Sequence, residues 1–245
     1  MRNVTPVLIV GISMLCSFTY AQDVVGGVTA KAMDISAYPY GTISSFNLAE
    51  KITKGSQYLY ETWRIGDIEL KDGIIEKCPL NIDLQNNVVE INTDKGIRVL
   101  SMSKIEKLKV GFNNVDVQHY ANARAFNGNQ AQLAGLVEVL VDDDIKLVKY
   151  PFLYKKEGNY NAALDMGNDE TKLVVRNRYL LYVKNKLVEI PTTKRKFLAL
   201  FSSSQQETLE SFLKDKNISL KDQSDLISTF NFINDSQLGV SMNGI

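Results

Sequence analysis

Short runs of alternating apolar and polar residues, separated by turn signals, are the feature that most constrains the fold of this chain. Leu80, Ile82 and Leu84 alternate with polar residues, and Val89 and Ile91 repeat the pattern. Because the side chains of a β-strand point alternately to its two faces, this two-residue repeat puts the apolar side chains on one face. Turn-forming residues separate successive runs at 71–73, 85–87 and 94–96. We therefore predict an antiparallel meander with one buried face, beginning with a strand at 57–63.

The second half of the chain continues this strand pattern after an interruption. Further runs of the strand type lie at 135–141, 145–150, 173–175, 178–183 and 187–190. Between the two groups of strands, the asparagine-rich residues 113–132 lose the alternation. That stretch predicts a long loop or an internal boundary between modules.

The last part of the chain carries signals for helices. Pro191 ends the strands, and we predict a short helix bearing Phe197 after it. Capping boxes at 204–207 and 219–222 precede apolar residues at helical spacing, and they predict two amphipathic helices. The pattern as a whole predicts a mainly β fold of the α+β class. We expect residues 22–190 to form a β-rich body, which is an antiparallel meander, a sandwich or a barrel-like sheet. Residues 191–245 form two or three helices that pack on this body.

Residues 1–21 have the pattern of a secretory signal peptide. Arg2 gives a positive start, an apolar run follows, and Ala21 provides a small residue before the cleavage point. A retained membrane anchor is the alternative, although Pro6 interrupts the run. No later stretch is apolar over the length that a membrane helix requires. We expect an exported protein of the periplasm, of the outer-membrane surface or of the medium, with no transmembrane segment after cleavage.

Charge and cysteine content narrow the function classes. The chain has 28 basic and 28 acidic residues, so no overall field favours nucleic acid, which we exclude as a partner. Cys16 lies in the leader, and Cys78 then has no partner for an intramolecular disulfide. An exported protein without disulfides depends on its hydrophobic core. This suits a bacterial envelope better than a small eukaryotic secreted domain.

Candidate catalytic residues lack the companions that their chemistry requires. Ser-x-x-Lys spacings occur at 101–104 and 211–214, without the other elements of penicillin-recognising serine enzymes. Cys78 and His119 could form a nucleophile and its base, but no signature of a catalytic cysteine surrounds Cys78. We predict no catalytic residue, and we favour a protein that is not an enzyme.

Motifs for metals and cofactors are also missing from the sequence. One histidine and one exported cysteine cannot supply the three or four ligands of a zinc site. Acidic residues cluster at 142–144 and 165–170, but their spacing differs from that of a calcium-binding loop, and solvated turns explain both. No glycine-rich phosphate loop is present. We predict no metal and no cofactor.

Two groups of residues stand out as candidates for a partner surface. The first group is aromatic and comprises Tyr58, Tyr60 and Trp63. Half-buried packing within the sheet is the alternative for these side chains. The second group is basic and comprises Lys194, Arg195 and Lys196. It falls in the first turn of a predicted helix, where the dipole disfavours cations, so either the helix begins later or the group meets an acidic partner. A solvated helix face is the alternative for these three residues.

Several segments carry a resemblance to other proteins. They are residues 55–63, 66–73, 80–84, 135–140, 146–150, 159–161, 194–198 and 222–226, together with Asn231. In these segments the chain resembles a broad set of uncharacterised exported envelope proteins of Bacteroidetes-type bacteria. The matching residues are turn glycines, strand faces and helix caps, so the resemblance implies a fold and a compartment. It implies a Gram-negative envelope protein, several relatives of which accompany outer-membrane assemblies.

These observations lead us to expect a non-enzymatic interaction protein of the cell envelope, an accessory of an outer-membrane export or uptake assembly. The alternative is a periplasmic barrel that binds a small ligand or a lipid, which requires an apolar cavity. A third hypothesis is a hydrolase that uses Cys78 or His119 in a cleft beside a carboxylate. The sequence leaves the oligomeric state open.

Overall fold

The computed structural model describes residues 54–112, 115–126, 133–159, 164, 166–167 and 170–241. Along this part of the chain, the strands come first and the helices last. The strands are β1 (Lys54–Gly55), β2 (Arg64–Leu70), β3 (Gly73–Asp83), β4 (Val88–Thr93), β5 (Gly96–Ser101), β6 (Ile105–Phe112), β7 (Val115–Asn122), β8 (Leu136–Val141), β9 (Lys146–Lys156), β10 (Lys172–Val183) and β11 (Lys186–Glu189). The helices are α1 (Lys194–Leu198), α2 (Ser203–Asp215) and α3 (Gln223–Asp235). The leader predicted at 1–21 lies outside the described residues.

The described strands form one open sheet in the order β1-β10-β9-β8-β7-β6-β2-β3-β4-β5, with β11 also beside β10. The short β1 pairs with β10 in parallel, and the other pairs are antiparallel. This arrangement confirms a mainly β fold of the α+β class, with the predicted meander in β2–β5. The sheet does not close on itself, so the barrel-like alternative is wrong.

One apolar cluster fills the face of the sheet that β2–β7 share. Ile68, Leu80 and Ile91 are completely buried there, and Ile82 and Leu108 lie beside them. The period of two in β3 and β4 thus buries the side chains that the alternation selects. Burial of apolar area at about 25 cal/mol per Å² is the main force that holds these strands together.

A second apolar cluster joins the helices to the sheet. Phe197 of α1, Leu209 of α2 and Phe230 of α3 are fully buried against Leu147 and Leu181 of the sheet. The predicted packing of the C-terminal helices on the sheet is therefore confirmed. Among the described residues, no helix has both the length and the apolar character needed to cross a membrane.

The start of α3 differs from the predicted capping box by three residues. The Asp222 carboxylate accepts hydrogen bonds from the Ser224 and Asp225 backbone N–H groups at 2.9 and 3.1 Å. The Asp225 carboxylate in turn accepts from the Ser219 backbone N–H at 2.8 Å. Hydrogen bonds from Ser224 and Asp225 hold the pKa of Asp222 below its usual value. A charged carboxylate at this position satisfies N–H groups that the first helical turn leaves free.

The strand predicted at 57–63 is wrong. Residues 57–63 form a bent segment with an isolated bridge between Tyr58 and Asp83, and regular pairing begins at Arg64. The Asn81 side chain explains the difference, because its amide accepts from the Tyr60 backbone N–H at 3.3 Å and donates to the Tyr60 carbonyl at 3.0 Å. A side chain thus satisfies backbone groups that a neighbouring strand would otherwise bind.

The long loop predicted at 113–132 is wrong over residues 115–122, which form β7 between β6 and β8. A 3-10 turn, Ala123–Phe126, follows this strand, and residues 127–132 lie outside the described part. The run predicted at 145–150 extends to Lys156, and the two runs at 173–175 and 178–183 are one strand, β10. Pro151 follows the first of these runs, and the polar residues Arg176 and Asn177 separate the other two.

Candidate functional site

A buried ion pair lies between the two large apolar clusters. Glu138 of β8 is 4% exposed, and its Oε2 lies 2.5 Å from Nζ of Lys149 on the neighbouring strand β9. The Lys149 ammonium also donates to the Gln223 side-chain oxygen of α3 at 3.0 Å. The pair therefore links two strands to the last helix in a place where water has little access.

Hydrogen bonds extend this pair into a polar network. Gln118 of β7 donates to Glu138 Oε1 at 3.3 Å, and it accepts from the Tyr60 hydroxyl at 2.8 Å. The Tyr60 and Tyr120 hydroxyl groups lie 2.8 Å apart. Burial raises the pKa of Tyr60 to about 12 and also raises the pKa of Tyr120. Both phenols are therefore neutral at physiological pH and serve as hydrogen-bond donors.

An open groove of about 960 Å³ lies over this network. Trp63 at the start of β2 and Ile227 of α3 are among its lining residues, and Gln118, Glu138 and Gln223 supply polar groups. The Trp63 side chain is 39% exposed. The groove thus combines one tryptophan and aliphatic residues with amide and carboxylate groups, and ligand sites pair apolar and polar groups in this way.

A second candidate site is the basic aromatic strip, a set of side chains on one face of β9 and β10. Its β9 members are Tyr150, Phe152, Tyr154 and Lys156, and its β10 members are Lys172, Val174, Arg176 and Arg178. They share a face because side chains alternate along a strand, and the two strands pair directly residue by residue. Val148 and Leu180 continue this face into a buried cluster, whereas Leu147 and Leu181 face the helices.

Arginine side chains lie against the rings of this strip. The Arg176 guanidinium carbon is 3.8 Å from the Tyr154 ring centre, and that of Arg178 is 5.4 Å from the Tyr150 ring and 5.2 Å from the Phe152 ring. Such cation–π contacts are worth about 0.5–1 kcal/mol at exposed sites. They also hold each guanidinium in one plane, with donors available to an anionic group.

The charge of these strands is one-sided. β9 and β10 contain seven basic residues and no acidic residue. Lys149 and Lys146 bind Glu138 and Asp142, whereas Lys156 and Lys172 face each other across the strands. The Arg178 Nε atom is buried without a hydrogen-bond partner among the described residues. An anionic ligand would therefore relieve like-charge repulsion on this surface.

The aromatic residues predicted as a partner surface are distributed over different environments. Tyr58 donates to the Glu90 carboxylate at 3.2 Å, and burial together with that carboxylate raises its pKa. Tyr60 is half-buried and directs its hydroxyl into the polar network, whereas Trp63 lines the groove. The three side chains therefore do not form one continuous aromatic patch.

The predicted basic group lies on α1. Lys194, Arg195 and Lys196 are all exposed in this five-residue helix. The helix does begin at Lys194, and the side chain of its N-cap residue, Thr193, makes no capping hydrogen bond. The helix is short, and water can screen the three charges, so the unfavourable dipole interaction costs little.

The candidate nucleophile and base are not brought together. Cys78 is buried, and its thiol donates to the Gly66 carbonyl at 3.4 Å. His119 is exposed on β7 between Gln118 and Tyr120, whose side chains point into the network. His119 is among the residues that line the groove, whereas Cys78 lies on β3, which β2 and β6 separate from β7. These two residues do not form a catalytic dyad in this fold.

We expect the Cys78 thiol to be unreactive towards Ellman's reagent in the folded protein at about pH 8, where an exposed cysteine is partly ionised. Burial raises the pKa of Cys78 to about 12, so little thiolate forms. The measurement uses a Cys16→Ser variant of the full chain, which leaves Cys78 as its only thiol. The same sample should react fully in denaturant. Rapid reaction of the folded protein would contradict the expectation.

The acidic turn at 142–144 makes local contacts. Asp142 forms an ion pair with Lys146, and Asp143 accepts from the Asp144 backbone N–H at 2.8 Å. Among the residues that the structure describes, no three His, Cys, Asp or Glu side chains gather in a way that could hold a metal ion. The second acidic stretch, 165–170, lies partly outside those residues.

Comparisons with protein-family models, with curated proteins and with solved structures find no match. The candidate sites therefore rest on geometry and charge. The sequence reasoning missed the basic aromatic strip, although its alternation is visible in Tyr150, Phe152 and Tyr154. Pro151 led us to end that strand too early, since proline is rare inside a sheet.

Proposed function

We propose that this chain is a non-enzymatic interaction protein of the bacterial cell envelope, and that the basic aromatic strip binds an acidic region of a partner protein. The observation that carries the proposal is the composition of β9 and β10, which present cations and rings without an acidic residue. The leader pattern of residues 1–21 supports export. The partner is an outer-membrane export or uptake assembly.

The residue types of the strip support a role in protein recognition. Arginine and tyrosine are enriched among the residues that contribute most to interface affinity. Arg176 is already stacked on Tyr154, so less side-chain entropy is lost when a partner binds. Tyr154 and Val174 are each 39% exposed, which adds apolar area beside the charges. A basic surface of this kind also accelerates the encounter with an acidic partner.

The experiment is affinity purification of the full chain from native envelope, with identification of the proteins retained. We expect the double variant Lys172→Glu/Arg176→Glu to recover about tenfold less of the specific partner, because reversed charges repel an acidic surface. The matched control is Lys214→Glu/Lys216→Glu, which makes the same charge change at exposed positions in and after α2. Equal recovery by the strip variant and the control would refute the proposal.

The same experiment separates the strip from the basic group on α1. A Lys194→Glu/Lys196→Glu variant carries an identical charge change at the surface that the sequence suggested. If this variant loses the partner and the strip variant keeps it, the partner binds at α1 and our assignment is wrong.

A small-ligand binder is the second candidate, and the groove over the polar network favours it. Its volume of about 960 Å³ is at the upper end of the range of about 300–1,000 Å³ that ligand sites occupy. Trp63 is the only tryptophan in the sequence, so its fluorescence reports directly on this groove. A ligand pool extracted from the envelope that leaves the Trp63 emission unchanged would remove this candidate.

A further inference from the structure

The strands that carry the basic aromatic strip run beyond the rest of the sheet. β8 begins at Leu136 and pairs with β9 only as far as Lys149, whereas β9 and β10 continue together to the pair Lys156–Lys172. On the outer side of β10, β1 covers Lys172 and Leu173, and β11 covers Leu180 to Val183. Among the described residues, the stretch 174–178 of β10 is therefore paired on one side only.

The direction of the free backbone groups follows from two hydrogen bonds on β10 and the residue before it. The Tyr179 carbonyl accepts from the Ile190 backbone N–H at 2.9 Å, so it points away from β9. The Thr171 carbonyl likewise accepts from the Lys54 N–H at 3.0 Å. In an antiparallel ladder, the N–H and C=O of alternate residues point to the same side. Val175 and Asn177 therefore direct their backbone N–H and C=O groups towards the open edge.

We propose that an extended acidic segment of the partner protein adds to this edge as a further strand and bonds to the backbone of Val175 and Asn177. This inference rests on the proposed function, and it assigns the way in which the partner binds. Backbone hydrogen bonds supply affinity in such strand addition, and side chains supply specificity. Alternate side chains of the added strand lie beside Arg176 and Arg178, where carboxylates would form charge-assisted hydrogen bonds.

The charge of the edge determines the kind of partner. Arg176 and Lys172 are exposed, and Arg178 carries a buried Nε atom without a hydrogen-bond partner among the described residues. Basic side chains on an edge strand also discourage pairing with a second copy of the same edge, because like charges would face each other. Two copies of the β10 edge therefore repel each other, whereas an acidic strand can pair with it.

The opposite edge of the two-stranded extension is less suitable. Pro151 lies on β9 at the position where that strand leaves β8. Proline has no N–H to donate, so an added strand would lose a hydrogen bond there. β10 contains no proline. The β10 edge is therefore the one that offers complete pairing.

The test uses the full chain and a synthetic peptide of alternating Glu and Val as the probe, followed by NMR titration. We expect the peptide to bind and to slow hydrogen exchange at the Val175 and Asn177 amides. Two further peptides carry N-methyl groups, one on every Glu and the other on every Val. Only one of these sets of N–H groups can face β10, so one methylated peptide should bind about fivefold more weakly or worse, and the other should bind like the parent.

The outcomes distinguish the mode of binding from the site. If both methylated peptides bind as well as the parent and the amides stay unprotected, strand addition is wrong, although binding by charge at the strip stands. If no peptide binds, or if Arg176→Glu leaves the affinity unchanged, both the inference and the proposed function are wrong. An Asn177→Pro variant, which removes one outward N–H and keeps the strip, should bind the parent peptide about fivefold more weakly.

Discussion

Replacing Lys149 with methionine is expected to lower the free energy of unfolding by about 3–5 kcal/mol. The Lys149 side chain is 12% exposed and that of its partner Glu138 is 5% exposed. Removal of the ammonium leaves a carboxylate in the interior without its counter-charge, and the Gln223 side-chain oxygen keeps only the longer hydrogen bond from the Tyr179 hydroxyl, at 3.4 Å. Urea denaturation followed by circular dichroism measures the change.

Two controls separate the buried charge from the general effect of losing a lysine. Lys146→Met removes an ion pair with Asp142 whose acidic partner is 71% exposed, and it should cost about 0–1 kcal/mol. The double variant Glu138→Leu/Lys149→Met should recover much of the stability, because no unpaired charge remains. Equal losses for Lys149→Met and Lys146→Met would show that the interior pair is solvated.

Replacing Phe230 with alanine is expected to destabilise the protein by about 3–5 kcal/mol. Phe230 is completely buried in the cluster between the helices and the sheet, and its ring centre lies 6.5 Å from that of Phe197. Truncation removes the contacts of the ring and leaves a cavity where α3 packs on the sheet. The same urea experiment applies, and loss of near-ultraviolet circular dichroism should accompany the earlier transition.

Phe232 provides the matched control for this variant. It lies on the same helix, is partly buried, and stacks on Phe212 with ring centres 4.0 Å apart. Because water already reaches this ring, Phe232→Ala creates a smaller cavity and should cost clearly less. If the two variants were equally unstable, the cluster around Phe230 would not be the contact that holds the helices to the sheet.

The sheet could be predicted in outline because its signals are local. The alternation of Leu80, Ile82, Val89 and Ile91 predicted β3 and β4, and the change to helical spacing after Pro191 predicted α1–α3. One prediction was wrong because a distant side chain satisfies the backbone. Asn81 binds the main chain of Tyr60 and prevents a strand at 57–63, and no local pattern in that segment indicates this contact.

The candidate sites were harder to predict because they combine residues from separate parts of the chain. Tyr60, Gln118, Glu138 and Gln223 belong to one network although four different segments supply them. Trp63 was singled out as a surface residue and does line the groove, whereas Tyr60 is half-buried and its hydroxyl belongs to the polar network. The charge or aromatic character of a single residue does not predict which strand will lie beside it.

Local sequence by itself determined which side chains share a face of a strand or a helix, because that depends on a repeat of a few residues. It also determined the order of strands before helices. Tertiary structure alone decided that β6 pairs with β2 and not with β5, which precedes it in the chain, and that the Tyr60 hydroxyl meets the Gln118 side chain. These contacts depend on long-range strand pairing, whose free energy comes from burying a whole face and not from any single segment.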